Sequence, residues 1–329
     1  MNEEAVSMAG VSVIIPNYNG SRYLRDCLAS LNEAVAEYEH GEAEIIIVDN
    51  ASTDDGIEII KECCPAARLI MLDRNYGFSR AVNEGIRASR GKYVILLNND
   101  TRVFRDFISR LAEAIEKDDS IFSVSSRMLK MSDPELIDSA GDMYCCLGWA
   151  FARGKDRPSS EYDKKAEIFS ACAGAAIYRR SVFDEIGYFD EEHFAYLEDV
   201  DIGYRARING YRNFYEPSAS VYHAGSGISG SRYNRFKIDL SSRNNVYVAY
   251  KNMPLLQLVL NLPFLAVGTF VKTLFFAGKG EGLTYIRGLG KGLMLCVKGR
   301  KYPFRNENLG NYIRIQFELW RNMFIRFLG

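Results

Sequence analysis

Five consecutive apolar residues, Tyr93-Val-Ile-Leu-Leu97, run straight into Asn98-Asn99-Asp100-Thr101. A short run without polar alternation suits a strand covered on both faces, as in the parallel sheet of an α/β fold. Open α/β sheets bind their ligands outside the carboxyl ends of the strands. Two amides, a carboxylate and a hydroxyl therefore stand where a phosphate-bearing molecule would sit. A carboxylate beside a diphosphate implies a bridging Mg²⁺ or Mn²⁺. The same four residues also make a good surface turn and helix cap. Taken alone, the segment leaves both readings open.

The first 125 residues repeat this layout. Strands are expected at Val11–Pro16, Glu44–Val48, Arg68–Leu72, Tyr93–Leu97 and Ile121–Ser125. Between them lie amphipathic stretches. A helix capped by Ser21 carries Leu24, Leu28, Leu31 and Val35, and others run over Asp54–Glu62, Phe78–Ser89 (with Gly91 just past its end) and Phe104–Lys117. Strand–helix alternation predicts a parallel sheet covered by helices. Residues 126–170 lose the rhythm and are expected to form a flap or inserted loops. A strand at Ala171–Tyr178, a helix from Ser181, a helix over Leu197–Asn209 closed by Gly210, and an extended Tyr211–Tyr222 follow.

Three strand ends put polar groups on one sheet edge: Pro16-Asn-Tyr18-Asn-Gly20, Asp49-Asn-Ala-Ser-Thr-Asp54 and Asn98-Asn99-Asp100. One such end is ordinary turn chemistry, but three together meet the needs of a nucleotide site. No G-x-G-x-x-G follows the first strand, and there is no G-x-x-x-x-G-K-[ST], so the dinucleotide and P-loop readings lose their support. Further on, Glu198, Asp199 and Asp201 open a helix among Phe194, Tyr196 and Leu197. A helix N-terminus favours anions, which gives these carboxylates a stability role. In apolar surroundings one of them could equally act as a general base. Arg205 and Arg207 are either their partners or solvated charges. His223 follows an extended stretch and precedes a glycine-rich turn able to cradle phosphate, so ligand and structural roles are evenly balanced.

The chain resembles the family 2 glycosyltransferases, with the GT-A fold. The matching residues are Val13-Ile-Ile-Pro16-Asn-Tyr18-Asn19, Ile47-Val-Asp49-Asn-Ala-Ser-Thr-Asp54, Asn75-Tyr-Gly77-Phe78, Asn98-Asn99-Asp100, Glu198-Asp199 and His223. They span about residues 11–230 and look most like the rhamnosyltransferase-type branch, in which Asn-Asn-Asp replaces Asp-x-Asp. The resemblance implies inverting transfer from a nucleotide-diphosphate sugar, such as dTDP-rhamnose or a UDP-sugar. It implies metal binding by Asp100, with His223 helping to hold metal or diphosphate. Asp199 falls on the catalytic base, next to Glu198, and Asp49 on the nucleobase contact. Pro16, Tyr18, Asn75, Gly77, Asn98 and Asn99 complete the implied donor site. Asn98 in place of the first Asp removes one negative charge from the metal motif.

The last third has another texture. Residues 231–329 carry 16 Lys and Arg against 4 Asp and Glu, although the whole chain has a net charge of −1. Such a module suits an anionic partner. Asn252–Val271 is twenty residues without a charge, interrupted by Pro254, Gln257, Asn261 and Pro263. Basic residues interleaved with apolar ones follow, which favours helices lying in a membrane interface over a true span. The expected organisation is a catalytic domain over 1–230 and a helical region for membrane docking or oligomerisation over 231–329. The seven cysteines have no C-x-x-C spacing and suit a reducing cytoplasm, and MNEEAVSMAG lacks the features of a signal peptide. The expected location is cytoplasmic, peripheral on the inner face of the plasma membrane. Expected partners are the donor, a saccharide acceptor (lipid-linked), the anionic membrane surface and a second copy of the chain, but no nucleic acid. Two other classes compete. A nucleotidyltransferase would want a basic, glycine-rich loop after the first strand, and Pro16–Gly20 has no basic residue. A non-catalytic membrane scaffold would not need to keep Asp100 and Asp199.

Overall fold

The computed structural model describes residues 10–225 and 234–328. Twelve strands form in chain order: β1 Val11–Asn17, β2 Ala43–Asp49, β3 Arg68–Met71, β4 Tyr93–Leu97, β5 Thr101–Val103, β6 Ile121–Lys130, β7 Asp133–Ser139, β8 Asp142–Tyr144, β9 Ala150–Ala152, β10 Ala166–Ile168, β11 Ala175–Arg179 and β12 Arg212–His223. Ten helices accompany them: α1 Ser21–Ala36, α2 Gly56–Cys63, α3 Phe78–Ala88, α4 Phe107–Ile115, α5 Arg180–Ile186, α6 Glu198–Ile208, α7 Arg235–Asn252, α8 Leu255–Gly278, α9 Gly282–Lys298 and α10 Leu309–Leu328.

The main sheet runs β10-β12-β6-β11-β4-β1-β2-β3, with β5 on β12 and β7 on β6. Strands β1 to β4 pair in parallel, as expected. Beyond β4 the expectation of a parallel sheet needs correction, because β11 lies antiparallel between β4 and β6. The chain leaves β1 towards β2 and β3 on one side and returns to β4 on the other. The switch point therefore falls between β1 and β4.

Alternate residues of β1 feed two separate cores. Val11, Val13 and Ile15 pack with Leu24, Leu28 and Leu31 of α1 and with Ile108 and Leu111 of α4. Ile14 faces Val82 and Ile86 of α3, in a core that continues to Phe183 and Ile202. A third core joins Tyr144, Phe169 and Tyr204 to Val248 of α7 and Ile315 and Leu319 of α10. The C-terminal helices thus rest directly on the sheet domain.

Several local readings change. Ser21 makes no side-chain cap for α1. Asp54 does that work from a distance, its Oδ2 accepting from Ser21 N at 2.9 Å. The helix expected from Phe104 starts at Phe107, because Thr101–Val103 pairs with β12 instead. Residues 126–170 are not mainly loops. They extend β6 and build β7, β8, β9 and β10. Asp138, Ser139 and Ser170 are buried polar residues, and Asp138 and Lys155 line a cleft at the strand ends, which hid the strand pattern. The strand expected from Ala171 begins at Ala175.

Gln257 and Asn261 looked like flaws in an apolar span, and α8 explains them. It is inside out. Asn261 and Gln316 of α10 exchange amide hydrogen bonds of 2.7 and 3.0 Å, and Tyr204 of α6 donates to Gln257 at 3.2 Å. The apolar side faces outward, with Leu256 86% and Phe270 63% exposed. Only 11% of its most apolar window is buried, which is not the pattern of a core helix.

Candidate active site

The three polar strand ends converge at the switch point. Asn17 is the hub: its Oδ1 accepts from Asn99 at 2.6 Å and its Nδ2 donates to Asp49 at 2.9 Å. Asp49 also accepts from Ser52 N at 2.9 Å and Ser52 Oγ at 2.6 Å. Asn50 donates to Asn75 Oδ1 and Gly77 O, both at 3.0 Å, and accepts from Tyr76 N. Gly77 has φ +85°, and a Cβ there would lie 2.4 Å from Phe194 O. Only glycine fits both demands.

These residues open into a cleft of about 610 Å³. Pro16, Tyr18, Asn75, Gly77, Asn98, Asn99, Asp100 and His223 all line it. Asp49 does not. It is 1% exposed and lies beneath Asn17, engaged in holding the floor. The cleft also takes Asp138 and Lys155 from the β7–β10 region and Phe236 and Lys237 from α7. None of these four stood out in the sequence. Each is an isolated polar or aromatic residue, and only the hairpins and α7 bring them to the strand ends.

Pairing of β5 with β12 sets His223 opposite Thr101 and therefore beside Asp100. His223 Nε2 lies 3.2 Å from Asp100 Oδ1, while its Nδ1 is held by Asp138 Oδ2 at 2.7 Å. Lys155 pairs with the other oxygen of Asp138. Burial alone would lower the His223 pKa, but the hydrogen bonds to Asp100 and Asp138 outweigh it and raise it to about 9. Burial likewise opposes ionisation of Asp138, and His223 and Lys155 overcome it, leaving the carboxyl below its usual range. A carboxylate oxygen and an imidazole nitrogen converging on the cleft fit a divalent cation. The Asp138 contact is the kind that orients a metal-binding imidazole.

The other wall is the segment before α6. Phe194, Tyr196 and Leu197 all have positive φ, at 61°, 69° and 67°. Phe194, with ψ −61°, forms a strained γ-turn closed by Ala195 N to His193 O at 2.7 Å. Asn244 of α7, fully buried, clamps the segment. Its Nδ2 lies 3.0, 3.0 and 2.7 Å from the carbonyls of His193, Ala195 and Tyr196. Arg243 donates to Asn244 Oδ1 at 2.8 Å and so fixes which way the amide points.

The three carboxylates of α6 have three different environments. Asp201 is fully buried and structural, receiving Arg205 at 2.8 Å, Lys251 at 2.9 Å and Asn252 at 2.8 Å. Those cations overcome burial and keep it ionised. Glu198 is buried and its Oε2 has no partner among the described residues. Burial, then the charge of Asp199, pushes its carboxyl well up and favours the neutral acid. Asp199 is half-buried, with Oδ1 accepting from Val200 N at 2.7 Å, and it clusters with Asp142 and Cys172. Burial raises Asp199, and hydrogen bonds from Asp142 and backbone N–H groups oppose the rise. Asp142 is pushed further, by burial and by Asp199 itself. Burial raises both carboxyls, Asp142 the more strongly, so the two titrate as a pair. Arg205 and Arg207 are not solvated: Arg205 pairs with Asp201, and Arg207 with Glu167 and Glu318.

The family model for glycosyl transferase family 2 matches residues 12–187. The N-acetylglucosaminyl-diphospho-decaprenol L-rhamnosyltransferase of Mycobacterium tuberculosis is 28% identical over 244 residues, covering 64% of this chain and 75% of that protein. Residues 1–349 of S. aureus TarS, solved with UDP-GlcNAc, superpose with a TM-score of 0.60 at 18% identity, covering 94% of this chain and 90% of that one. GalNAc-T7, solved with UDP, GalNAc and Mn²⁺, gives a TM-score of 0.59 at 18% identity over 74% of this chain and 49% of that one. The chain is a glycosyltransferase with the GT-A fold and belongs to glycosyl transferase family 2.

Proposed function

We propose that this enzyme moves a hexose, with inversion, from a dTDP- or UDP-linked donor to a lipid-linked saccharide. The observation that carries the reading is the convergence of the β1, β2 and β4 ends, the Asp100–His223 pair and the Phe194–Tyr196 segment on one cleft. Glu198 and Asp199 follow that segment directly at the head of α6 and do not themselves line the cleft. Asp199 takes the proton of the acceptor hydroxyl while that oxygen attacks the anomeric carbon. The bond from that carbon to the diphosphate oxygen breaks, and the nucleoside diphosphate leaves. Asp142, hydrogen-bonded to Asp199, holds that carboxyl in place. Lys155 and Lys237 give the diphosphate cationic neighbours in a cleft that also holds Asp100. Asp100 and His223 would hold a divalent metal, which when bound offsets charge on the leaving diphosphate. Asp49 acts from below, fixing the Ser52 turn where the family's nucleobase contact falls.

The relative named for a diphospho-decaprenol substrate supports a lipid-linked acceptor. The inside-out face of α8 supports docking at an anionic membrane surface, with Leu283 of α9 (86% exposed) and Phe327 of α10 (67% exposed) extending it. Incubation with dTDP- and UDP-sugars, Mn²⁺ and a lipid-linked acceptor tests the function. Nucleoside diphosphate and a glycosylated lipid are expected. Release of pyrophosphate instead would mark a nucleotidyltransferase.

A further inference from the structure

The β8–β9 hairpin links the Asp199 cluster to a second cavity. At its base, Asp142 meets Asp199. At its tip, the Leu147–Trp149 turn packs on α8: Trp149 Nε1 donates to Gly268 O at 3.1 Å. A Cβ on Gly268 would lie 2.2 Å from Leu147 O, so only glycine admits the tip this closely. From Asp142 to Leu147 is five residues, at most about 17 Å of extended chain.

Beside the tip, α7, α8 and α9 enclose a groove of about 680 Å³. Its walls include Val246 and Ala249 of α7, Leu262 and Ala266 of α8, and Leu289 and Leu293 of α9. The volume is that of a site for a drug-sized ligand. Leu262 and Leu293 are 59% and 63% exposed, so the groove opens onto the apolar outer face of the helices. At the hairpin, Lys272 Nζ lies 5.6 Å from the centre of the Trp149 ring, and the Arg326 guanidinium 5.7 Å from that of Phe151. Neither cation has a carboxylate partner among the described residues.

We infer that this groove holds the hydrocarbon tail of a diphosphate-linked lipid, with Lys272 and Arg326 meeting its diphosphate and the β8–β9 hairpin setting the distance to Asp199. The inference rests on the glycosyltransferase reading with a lipid-linked acceptor. Charge complementarity selects the occupant. Lys272 lies over Trp149, which lines the groove, and Arg326 over Phe151 of the same hairpin; neither lines the slot itself. An apolar slot beside two cations without carboxylate partners among the described residues fits a molecule apolar at one end and anionic at the other. The hairpin leaves a span between tail and base that the diphosphate and the accepting sugar would fill.

The test uses the full chain on phosphatidylcholine vesicles and a geranylgeranyl diphosphate carrying a benzophenone at its tail. Photolabelling should saturate and map to α7, α8, α9 or the Leu147–Trp149 turn. Ala266→Phe and Leu262→Trp, each checked for an unchanged melting temperature, should cut labelling at least tenfold. Lys272→Gln should weaken competition by untagged geranylgeranyl diphosphate at least fivefold and leave competition by geranylgeraniol unchanged. Labelling that ignores Ala266→Phe and Leu262→Trp, or competition that ignores Lys272→Gln, overturns the inference. So does equal displacement by phosphatidylglycerol, which would make the groove a seat for bulk lipid, or cross-linking chiefly to a second copy. Acceptor-free release of nucleoside diphosphate separates the two levels. Normal release without labelling removes the groove and spares the catalytic reading. Specific labelling without any release does the reverse.

Discussion

Replacing Asn244 with alanine tests whether the C-terminal third shapes the catalytic centre. Its amide holds the carbonyls of His193, Ala195 and Tyr196 just ahead of Glu198 and Asp199. Along and directly after that stretch come three non-glycine residues with positive φ, Phe194, Tyr196 and Leu197. Each such residue stores about 1–3 kcal/mol, so roughly 3–9 kcal/mol of strain is held in place. An NH₂ group has two protons, so the three contacts amount to about two hydrogen bonds of ~1 kcal/mol each. The carbonyls left without them add about 1–2 kcal/mol. Asn244→Ala should therefore destabilise the fold by about 3–4 kcal/mol, a loss that a domain stable by about 5–15 kcal/mol survives. Part of the strain then relaxes by moving the segment. A shift of about 1 Å at the base can cost about 100-fold in rate. Urea unfolding gives the first quantity and nucleoside-diphosphate release the second. Asn244→Asp is the control, since it keeps the shape but loses the donor, and it should do no better. A stability within about 0.5 kcal/mol of wild type, or full turnover at reduced stability, refutes the reasoning.

Asp100→Ala should weaken both Mn²⁺-dependent donor binding, measured by calorimetry, and turnover. His223→Ala should do the same to a smaller degree, and unchanged metal dependence in both would remove the pair from metal binding. His193 is fully buried, neither ring nitrogen has a hydrogen-bond partner among the described residues, and burial lowers its pKa to about 4. Its stability contribution is then complete above its unfolded pKa of about 6.5 and is lost as pH falls towards 4, about 3 kcal/mol in all. Urea unfolding should show about 2 kcal/mol of this lost between pH 7 and 5, and His193→Phe should flatten that slope. A slope unchanged in the variant assigns the pH dependence elsewhere. Alkaline carbonate should release the chain from membranes into the supernatant, because α8 is tied by its polar stripe to α6 and α10. Retention in the pellet would favour a spanning helix.

The parallel half of the fold was legible because β1, β2 and β4 are covered on both faces and read as unbroken apolar runs. Their polar ends marked most of the cleft for the same reason. The antiparallel half was not legible. Asp138 and Asp142 lie on strands with buried polar residues, and Lys155 in the turn after β9, so the period-2 signal is lost. Asp49 was found as a residue but not in its position, since a strand-end carboxylate can face ligand or floor with the same sequence. Gln257 and Asn261 counted against a membrane helix only while the partners on α6 and α10 were unseen. The Asn244 clamp left no signal, because its value lies in the backbone strain of a segment about fifty residues away in sequence.

The central claim is direct displacement at the anomeric carbon with Asp199 as the base. The most direct measurement is the anomeric configuration of the transferred sugar relative to its donor, by proton NMR of the first product formed by the wild type, with Asp199→Asn run alongside. The account predicts inversion, together with loss of transfer in Asp199→Asn while donor binding survives, since the amide keeps the shape but cannot take the proton. Retained configuration, or an Asp199→Asn variant that turns over within a few-fold of wild type, would contradict it.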